Sequence, residues 1–394
     1  MSYQFSMTTK IVVEQNISAR VADFVKDLSI TKLLIVTDKG IQEAKLLEHI
    51  LESLEQESIE YVIYNEIQPN PKDIYCNEAA VFAKENQIDG IVSVGGGSVI
   101  DTAKSISILV THGGSIIDWE GAYTLSKDVL PLICIPTTAG TGSEVTPYIV
   151  VTDTKKRVKK SIFDPRIFPN IALIDAEMTR DLPRFITAIT GMDALTHAIE
   201  AYTSRLANPI SDSLALDAIK MIHNNLLEAV ENGRNNIKVR ENMLVGSTIA
   251  CMAVSNSDIG AVHTISEAIS GLYDTPHGVA NSVILPFVFE HNMYSDIQKH
   301  ADVAYAMGVD TQLSNEEAAK ACVDLLFMLT EKLEIPKFSE LPLVKSEDFK
   351  LIAINSKNNI SDSSNAKDIS LEEYESILMN AYQYKSSCER NVSF

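Results

Sequence analysis

Four side chains in the second half of the chain have the types and the spacing of a metal site. The segment GMDALTHAIEAY places Asp193 and His197 four residues apart. The segment AVHTISEAISGLYDTPHG supplies His263 and, fourteen positions later, His277. Residues four apart on a helix lie one above the other, so the Asp193 carboxylate and the His197 ring can be directed at one point. One carboxylate and three imidazoles suit a borderline divalent ion such as Fe(II) or Zn(II).

A carboxylate and a histidine at this spacing are more often a surface pair on one helix face. Here the surrounding residues, ALTHAIEA, are mostly apolar, which indicates that the pair faces inward, where unpaired charge is costly. His263 also lies in an apolar helical run, and His277 stands between a proline and a glycine, as at the start of a helix. We therefore expect Asp193, His197, His263 and His277 to bind one metal ion. With an open coordination position, this ion would act as a Lewis acid.

A glycine-rich segment in the first half has the character of a phosphate-binding turn. The run IVSVGGGSVIDTAK places three glycines between a predicted strand and a predicted helix. Glycines allow close approach of the backbone to a ligand, and the free N–H groups of a helix start attract phosphate. The spacing differs from the common GxGxxG pattern, so these residues alone leave a tight turn as an equal alternative. Asp101 is expected to stabilise the loop and the first helical turn.

Asp38 ends the apolar run KLLIVTD and is a candidate for contact with a nucleotide ribose. A carboxylate at the tip of an early strand can accept hydrogen bonds from the ribose hydroxyls and repels a 2′-phosphate, which favours NAD over NADP. The alternative is a helix N-cap before Gly40 and Ile41.

The elements that position these residues change in character along the chain. In the first ~180 residues, short β-type runs alternate with helical stretches, which indicates a parallel sheet covered by helices. We predict strands at 32–37, 61–64, 91–94, 132–136, 149–153 and 171–175, and helices over 41–54, about 72–86 and after Gly97. From about Asp181 the apolar spacing becomes helical, with few β-type runs.

The predicted organisation is therefore an α/β domain at 1–181 and an all-helical domain at 182–394. The boundary is placed near Arg180–Pro183. The polar, Ser/Asn-rich stretch Asn355–Lys367 is expected to be an exposed loop before a last helix at 371–383.

Composition excludes several classes of protein and partner. The 394 residues are 45% hydrophobic and 22% charged, which is typical of a globular protein with a large core. A net charge of −20 argues against nucleic acid and anionic membrane as partners. The five scattered cysteines indicate a reducing compartment. No run is long enough to span a bilayer and the start lacks the form of a signal peptide, so a cytoplasmic protein is expected.

Several long motifs, in the right order, resemble the iron-containing (group III) alcohol dehydrogenases. They are GGGSVIDTAK, PTTAGTGSEVT, GMDALTHAIEAY and SNSDIGAVHTISEAISGLYDTPHGVANSVILP. The resemblance runs from about Thr9 to beyond residue 300. It implies a Rossmann-like parallel-sheet domain of the dehydroquinate synthase-like plan, an all-helical metal-binding domain, and an active site in the cleft between them. It also implies Fe(II) as the native metal and a homodimer.

The resemblance assigns further residues to the cofactor. Gly96, Gly97 and Ser98 match positions that bind the pyrophosphate. Four other residues match positions on the cofactor side; without the resemblance they would be taken for turn, cap or hairpin residues. They are Asn70, Thr137, Thr138 and Lys159, the last beside the nicotinamide ribose.

The function implied is that of a metal-dependent NAD(H) oxidoreductase that interconverts a small primary alcohol and its aldehyde. The metal would stabilise an alkoxide while hydride passes to the nicotinamide. One alternative is a zinc-dependent polyol or glycerol-type dehydrogenase. A second is a lyase like dehydroquinate synthase, which requires a Lys/Arg-rich pocket that is not evident here. A third is a non-catalytic nucleotide-binding protein.

One position departs from the resemblance. Relatives commonly carry a second histidine four residues after the one at 263, and here that residue is Glu267. Glu267 would relay a proton, contact the substrate, or act as a fifth metal ligand or as the partner of a metal-bound histidine. The remaining alternative is a solvent-facing spectator. Val254 and Tyr148 also differ from the usual pocket residues, which suggests an aldehyde of different shape or polarity. The alternative for both is ordinary core packing.

Overall fold

Short apolar runs in the first half of the chain form a parallel sheet. The computed structural model describes residues 3–386. Nine strands are present in this part of the chain, and six of them form the main sheet. The nine are β1 (Lys10–Val13), β2 (Lys32–Val36), β3 (Glu60–Tyr64), β4 (Gly90–Gly95), β5 (Gly121–Ala122), β6 (Leu132–Pro136), β7 (Tyr148–Asp153), β8 (Val158–Phe163) and β9 (Ile171–Ile174).

The main sheet is parallel throughout, in the order β1-β9-β6-β4-β2-β3. Alternate residues of its strands enter two different cores, because successive side chains point to opposite faces. Leu33 and Ile35 of β2 belong to one hydrophobic cluster, and Leu34 and Val36 to another. Strands buried on both faces are continuous apolar runs, which explains why they were recognisable in the sequence.

The chain order of the strands reverses between β2 and β4. From β2 the chain forms β3 on one side, then crosses to the other side to form β4. In open α/β sheets, ligands bind beyond the carboxyl ends of the strands at such a reversal. Asp38 follows β2 and Gly96 follows β4. The topology therefore places these two candidate nucleotide residues at the edge where a ligand is expected.

Five helices accompany this sheet. They are α1 (Val21–Asp27), α2 (Lys39–Glu43), α3 (Glu48–Gln56), α4 (Asp73–Glu85) and α5 (Gly97–His112). The single helix predicted over 41–54 is wrong, because the chain forms α2 and α3 with a turn between them. Lys45 in that turn has φ 60°, a left-handed conformation that a continuous right-handed helix excludes. The apolar spacing was nevertheless informative, since Leu47, Ile50 and Leu54 are all buried in the core.

A small second sheet has the order β5-β8-β7, and β7 and β8 form an antiparallel hairpin. It is fastened to α5 by Lys104, whose side chain is fully buried. Lys104 Nζ donates to Ser143 Oγ, to the Thr146 carbonyl and to the Tyr148 carbonyl, each at 2.9 Å. One turn earlier, the Asp101 carboxylate accepts from Ser143 Oγ at 2.5 Å and from the Val150 N–H at 3.0 Å.

Asp101 therefore ties α5 to the segment that leads into β7, whereas the sequence had suggested that it stabilises its own loop and first helical turn. Burial raises the pKa of Asp101, and the charge of Lys104 acts in the opposite direction.

The second half of the chain is helical, and residues 183–386 contain no strand. Nine α-helices lie between residues 184 and 386: α6 (Arg184–Thr203), α7 (Pro209–Asn232), α8 (Ile237–Val254), α9 (Ala261–Tyr273), α10 (His277–Asn292), α11 (Ile297–Ala306), α12 (Asn315–Lys332), α13 (Phe349–Lys357) and α14 (Leu371–Gln383). An α/β domain followed by helices is the fold class predicted from the sequence, and it is confirmed.

Contacts divide the chain into two compact units. One contains Ser6–Leu182 together with Gly233–Thr248, and the other contains Pro183–Asn232 and the described residues from Ile249 onward. The division falls within α8. No helix among residues 3–386 has the length and the apolar character needed to cross a bilayer. The four cysteines described are free and buried, and Cys388 lies outside the described residues.

The prediction of an exposed loop over Asn355–Lys367 is wrong. Helix α13 continues to Lys357, and three polar side chains beyond it are buried: Ser361, Ser364 and Asn365. Polar residues of the segment 355–367 form hydrogen bonds with buried groups on other elements. A polar composition here therefore does not indicate exposure to solvent. The last helix, predicted at 371–383, is confirmed as α14.

Candidate active site

Three of the predicted metal ligands converge in the helical unit. Asp193 lies on α6, His263 on α9 and His277 at the first residue of α10, as its flanking proline and glycine predicted. Asp193 Oδ1 is 3.8 Å from His263 Nε2 and 3.8 Å from His277 Nε2. One donor atom of each residue lies within 4.8 Å of the other two. Asp193 and His263 are both only 2% exposed, so the carboxylate and the ring face each other away from bulk water.

His197 lies beside these three residues. Its ring centroid is 4.3 Å from that of His263, and its Nδ1 is 4.0 Å from Asp193 Oδ1. The group whose donor atoms all lie within 4.8 Å of one another consists of Asp193, His263 and His277 and does not include His197. The role of His197 as a fourth ligand stays a prediction.

A buried glutamate holds the His263 ring from behind. Glu200 Oε2 lies 2.5 Å from His263 Nδ1, and Glu200 Oε1 accepts from the Val262 N–H at 2.7 Å. Because the carboxylate requires a proton on Nδ1, the network assigns the lone pair of His263 to Nε2, the atom that faces Asp193. Burial alone would lower the pKa of His263, but the hydrogen bond with Glu200 and the negative charges of Glu200, Asp193 and Glu267 together raise that pKa.

The Asp193, His263 and His277 atoms all lie close to one hydrogen-bond donor. Asn281 Nδ2 is 2.6 Å from Asp193 Oδ1, 3.1 Å from His263 Nε2 and 3.2 Å from His277 Nε2. One carboxylate oxygen and two imidazole nitrogens thus lie around a single amide nitrogen, which donates to the Asp193 carboxylate. Acceptors arranged in this way also suit a divalent cation, and the mixed oxygen and nitrogen set fits Fe(II) or Zn(II).

The candidate nucleotide residues follow three neighbouring strands of the main sheet. Asp38, Gly96 and Thr137 follow the carboxyl ends of β2, β4 and β6, respectively. Asp38 caps α2, since its Oδ1 accepts from the Ile41 N–H at 2.9 Å. This is the helix N-cap that the sequence analysis gave as the alternative role of Asp38. The cap uses Oδ1 and does not involve Oδ2.

The glycine turn is shaped by close approach of the next loop. Helix α5 begins at Gly97 with Gly96 as its N-cap, and Ser98 is in the first turn. A Cβ on Gly97 would lie 2.6 Å from Thr141 Cγ2, so any other residue there would displace the Thr141 side chain. The Thr138 hydroxyl lies 3.1 Å from the position that a Cβ on Gly96 would occupy. The turn and PTTAGTGSE therefore form one surface beside the start of α5.

Asn70 and Lys159 are brought towards each other by the β7–β8 hairpin. Asn70 is in a left-handed turn at φ 53° and is 9% exposed. The Pro71 carbonyl accepts from the Thr152 N–H at 2.7 Å, and Thr152 pairs with Lys159 across the hairpin. The positive charge of Lys159 also acts on Asp101 in the first turns of α5.

The segment predicted to be an exposed loop braces the start of α9. Asn365 Oδ1 accepts from the Ala261 N–H at 3.1 Å and from Asn292 Nδ2 at 2.9 Å. Asp258 accepts from Ser361 Oγ at 3.0 Å and from Ser364 Oγ at 2.6 Å. The helix that carries His263 is therefore positioned by side chains about a hundred residues away in sequence.

Asp258 gives this brace a dependence on pH. Burial raises the pKa of Asp258 above the usual range of an aspartate, although the serine and backbone hydrogen bonds oppose the shift. A raised pKa in the folded state means that the stability contribution is complete below the unfolded pKa. This contribution is lost as the pH rises through the folded pKa.

We expect Asp258→Asn, which cannot ionise, to lose less free energy of unfolding than the unaltered protein as the pH rises from about 4 to 7. Urea unfolding across that range measures the difference. Exposed Asp217→Asn is the control and should leave the pH dependence unchanged. Equal slopes for Asp258→Asn and the unaltered protein would contradict the role given to Asp258.

Comparison with known proteins agrees with this geometry. A family model described as "Iron-containing alcohol dehydrogenase" matches residues 8–176, and one described as "Fe-containing alcohol dehydrogenase family, C-terminal" matches residues 187–382. The chain belongs to the iron-containing alcohol dehydrogenase family.

Similar proteins within the family include a 1,3-propanediol dehydrogenase of Citrobacter freundii, 41% identical over 82% of this chain and 84% of the relative. An NAD-dependent methanol dehydrogenase of Bacillus methanolicus is 36% identical over 90% of this chain and 93% of the relative. A crystal structure of a 1,3-propanediol oxidoreductase superimposes with a TM-score of 0.93 at 36% identity, covering 97% of this chain and 100% of that chain.

Membership in the iron-containing alcohol dehydrogenases confirms the function and the cofactors predicted from the sequence. The protein is an NAD(H)-dependent oxidoreductase of alcohols and aldehydes, with a metal site of the iron type. Among the described residues, Asp193, His263 and His277 form a group whose donor atoms are spaced so that they could hold a metal ion.

Two residues of this site escaped the sequence analysis. Glu200 is seven positions after Asp193 in the same motif, and Asn281 is four positions after His277. Spacings of seven and four residues return to the same face of a helix, so the sequence could have indicated that each residue lies on the same side as a metal ligand. Spacing alone does not distinguish them from other residues of the same helix face, so only their contacts show that they orient the ligands.

The residues that depart from the resemblance occupy different environments. Glu267 is 6% exposed on α9, one turn after His263. Val254 is the last residue of α8 and is 7% exposed. Tyr148 begins β7, with its ring centroid 4.9 Å from that of Phe163. The burial of Glu267 excludes the solvent-facing spectator among its predicted roles.

Proposed function

We propose that this protein interconverts a small primary alcohol and its aldehyde on a divalent metal held by Asp193, His197, His263 and His277. The observation that carries the proposal is the convergence of three acceptor atoms from α6, α9 and α10 on one point, with Glu200 orienting His263. The names of the relatives, a 1,3-propanediol dehydrogenase and a methanol dehydrogenase, support a short primary alcohol as the substrate.

The bound metal supplies a Lewis acid for the substrate oxygen, and NAD(H) supplies the hydride acceptor or donor. The ligand side chains fix the place of the reacting oxygen. Asn281 holds the Asp193 carboxylate, and Glu200 keeps the His263 lone pair on Nε2. Fe(II) is the proposed metal, and Zn(II), which accepts the same donors, is the second candidate.

For the nucleotide, the proposal assigns Asp38 to the ribose hydroxyls, which excludes a 2′-phosphate and selects NAD(H). The N–H groups at the start of α5 bind the pyrophosphate, since a helix N-terminus attracts anions. Their position at the reversal point of the sheet supports this assignment. The residues concerned are Asn70, Gly96, Gly97, Ser98, Thr137, Thr138 and Lys159.

Three residues are assigned to the substrate side. Glu267 relays a proton or contacts the substrate, and its burial beside the His263 helix face supports either role. Val254 and Tyr148 shape the pocket, with Val254 leaving more room than an aromatic residue would.

A cytoplasmic homodimer completes the proposal. Strand β1 is an edge of the main sheet, where an unpaired strand can add a partner. Val13 on β1 is 46% exposed, which supports a role in self-association. Free buried thiols support a reducing compartment. Size-exclusion chromatography with light scattering tests the dimer, and a monomer at micromolar concentration would contradict it.

A panel of alcohols and aldehydes tests the proposed activity. The protein is stripped of metal, reconstituted with Fe(II) or with Zn(II), and assayed with NADH and with NADPH. The expected result is turnover of short primary alcohols and aldehydes with NADH, dependent on added metal. Full turnover by the metal-free protein, or preference for NADPH, would contradict the assigned site.

A further inference from the structure

Glu267 is a buried carboxylate with incomplete hydrogen bonding. Its side chain is 6% exposed, and Oε2 accepts from Asn359 Nδ2 at 2.7 Å. Oε1 accepts no hydrogen bond from any residue in the part of the chain that the structure describes. Burying a carboxylate is costly unless its oxygens are satisfied. Oε1 is therefore an acceptor that a bound ligand can satisfy.

The position of Glu267 places this acceptor close to the reacting end of a substrate. Glu267 follows His263 by four residues on α9, so the two side chains share one face of the helix. Four residues of helix rise about 6 Å. A carboxylate one turn from a metal ligand is thus within reach of the far end of a three-carbon substrate. The near end of such a substrate would react at the metal.

Asn359 is fixed in the position from which it orients Glu267. Asn359 Oδ1 accepts from the Ser361 N–H at 3.0 Å, and Ser361 Oγ donates to Asp258 at 3.0 Å. The same segment is tied to the start of α9 through Asn365. The amide of Asn359 therefore holds one oxygen of Glu267 and leaves the other available.

We propose that Glu267, positioned by Asn359, accepts a hydrogen bond from the second hydroxyl of a short diol or hydroxyaldehyde. The second hydroxyl is then a determinant of specificity, because only a substrate that carries it can donate a hydrogen bond to Oε1. This inference rests on the proposed function of the same site. Asn359 is a positioning residue and acts through Glu267.

The test compares 1,3-propanediol with 1-propanol, which has the same carbon chain and one hydroxyl. In the unaltered protein, kcat/KM should favour the diol by about 10- to 100-fold. Glu267→Met, of similar length but without an acceptor oxygen, should reduce this ratio to near one, chiefly through KM for the diol. Glu267→Gln keeps an acceptor oxygen and should retain most of the ratio.

A binding measurement provides a readout without turnover. Calorimetric titration of 1,3-propanediol into the enzyme–NADH complex, in which alcohol and reduced cofactor do not react, should give a dissociation constant raised about 10-fold or more by Glu267→Met. Asn359→Ala should raise it by a smaller factor and lower the diol ratio in parallel. Asn358→Ala, at the exposed neighbouring residue, should change neither quantity.

The outcomes separate this inference from the proposed function. Equal kcat/KM for the diol and 1-propanol in the unaltered protein would overturn the inference while confirming alcohol oxidation. Loss of both activities to the same extent in Glu267→Met would also overturn it. A quaternary ammonium alcohol preferred to the diol would show recognition by charge and contradict hydrogen bonding. Absence of turnover with every alcohol would reject the proposed function, and diol binding that depends on Glu267 would still support the recognition role.

Discussion

Replacing Asp193 with alanine is expected to remove the bound metal and to lower kcat/KM for alcohol oxidation by about 1,000-fold or more. The effect of this replacement is expected to be the largest because Asp193 Oδ1 lies next to the donor atoms of both His263 and His277. It lies 3.8 Å from His263 Nε2 and 3.8 Å from His277 Nε2, and accepts from Asn281 at 2.6 Å. Its removal leaves only the imidazoles of His197, His263 and His277, which bind a divalent cation far more weakly than the full set.

Metal content by mass spectrometry and steady-state kinetics together measure the effect. Asp193→Asn has nearly the same shape and should also lose metal, which separates the effect of charge from that of packing. Asp217→Ala, at an exposed carboxylate on α7, should retain both metal and activity. An Asp193→Ala protein that keeps a full complement of metal would show that the ion binds elsewhere.

Replacing Glu200 with alanine is expected to weaken metal binding by about 10- to 100-fold, although Glu200 is not itself a ligand. Glu200 is 5% exposed and uses both carboxylate oxygens, one on His263 Nδ1 at 2.5 Å and one on the Val262 N–H at 2.7 Å. Without it, the His263 ring loses the contact that fixes its orientation and tautomer. Two buried donors are then left unsatisfied, at a cost to folding of about 3 kcal/mol.

Competition with a chelator measures the affinity for metal, and urea unfolding of the metal-free protein measures stability. Glu200→Gln preserves one acceptor oxygen, so its metal affinity and its free energy of unfolding should lie between those of the alanine variant and the unaltered protein. Glu231→Gln, at an exposed position on α7, is the matched control and should change neither. Unchanged metal affinity in a folded Glu200→Ala protein would show that the His263 ring is held by packing alone.

Much of the fold could be predicted from the sequence because its signals are local. Strand β6 was predicted at 132–136 and helix α14 at 371–383, and both have these bounds. The central strands are continuous apolar runs because both faces of the sheet are covered. Asp193 and His197 share one motif, and the start of α10 at His277 is marked by Pro276 and Gly278, so these features were also visible.

The failures have a common physical origin in contacts between residues far apart in sequence. The apolar spacing over 41–54 does not distinguish one helix from two, and the break at Lys45 is a backbone conformation without a strong residue signal. The segment 355–367 has the composition of an exposed loop, yet Asn359 and Asn365 provide hydrogen bonds for Glu267 and the start of α9.

The sequence by itself determined which residue types are available for the metal and the nucleotide, and which elements carry them, because helical and strand periodicity and end signals act over a few residues. The tertiary structure alone decided which donors meet, that Glu200 and Asn281 contact them, and that Asn359 donates to one oxygen of Glu267. Those choices depend on hydrogen bonds that close loops of up to about a hundred residues. Composition and spacing carry no record of which distant partners satisfy a buried polar group.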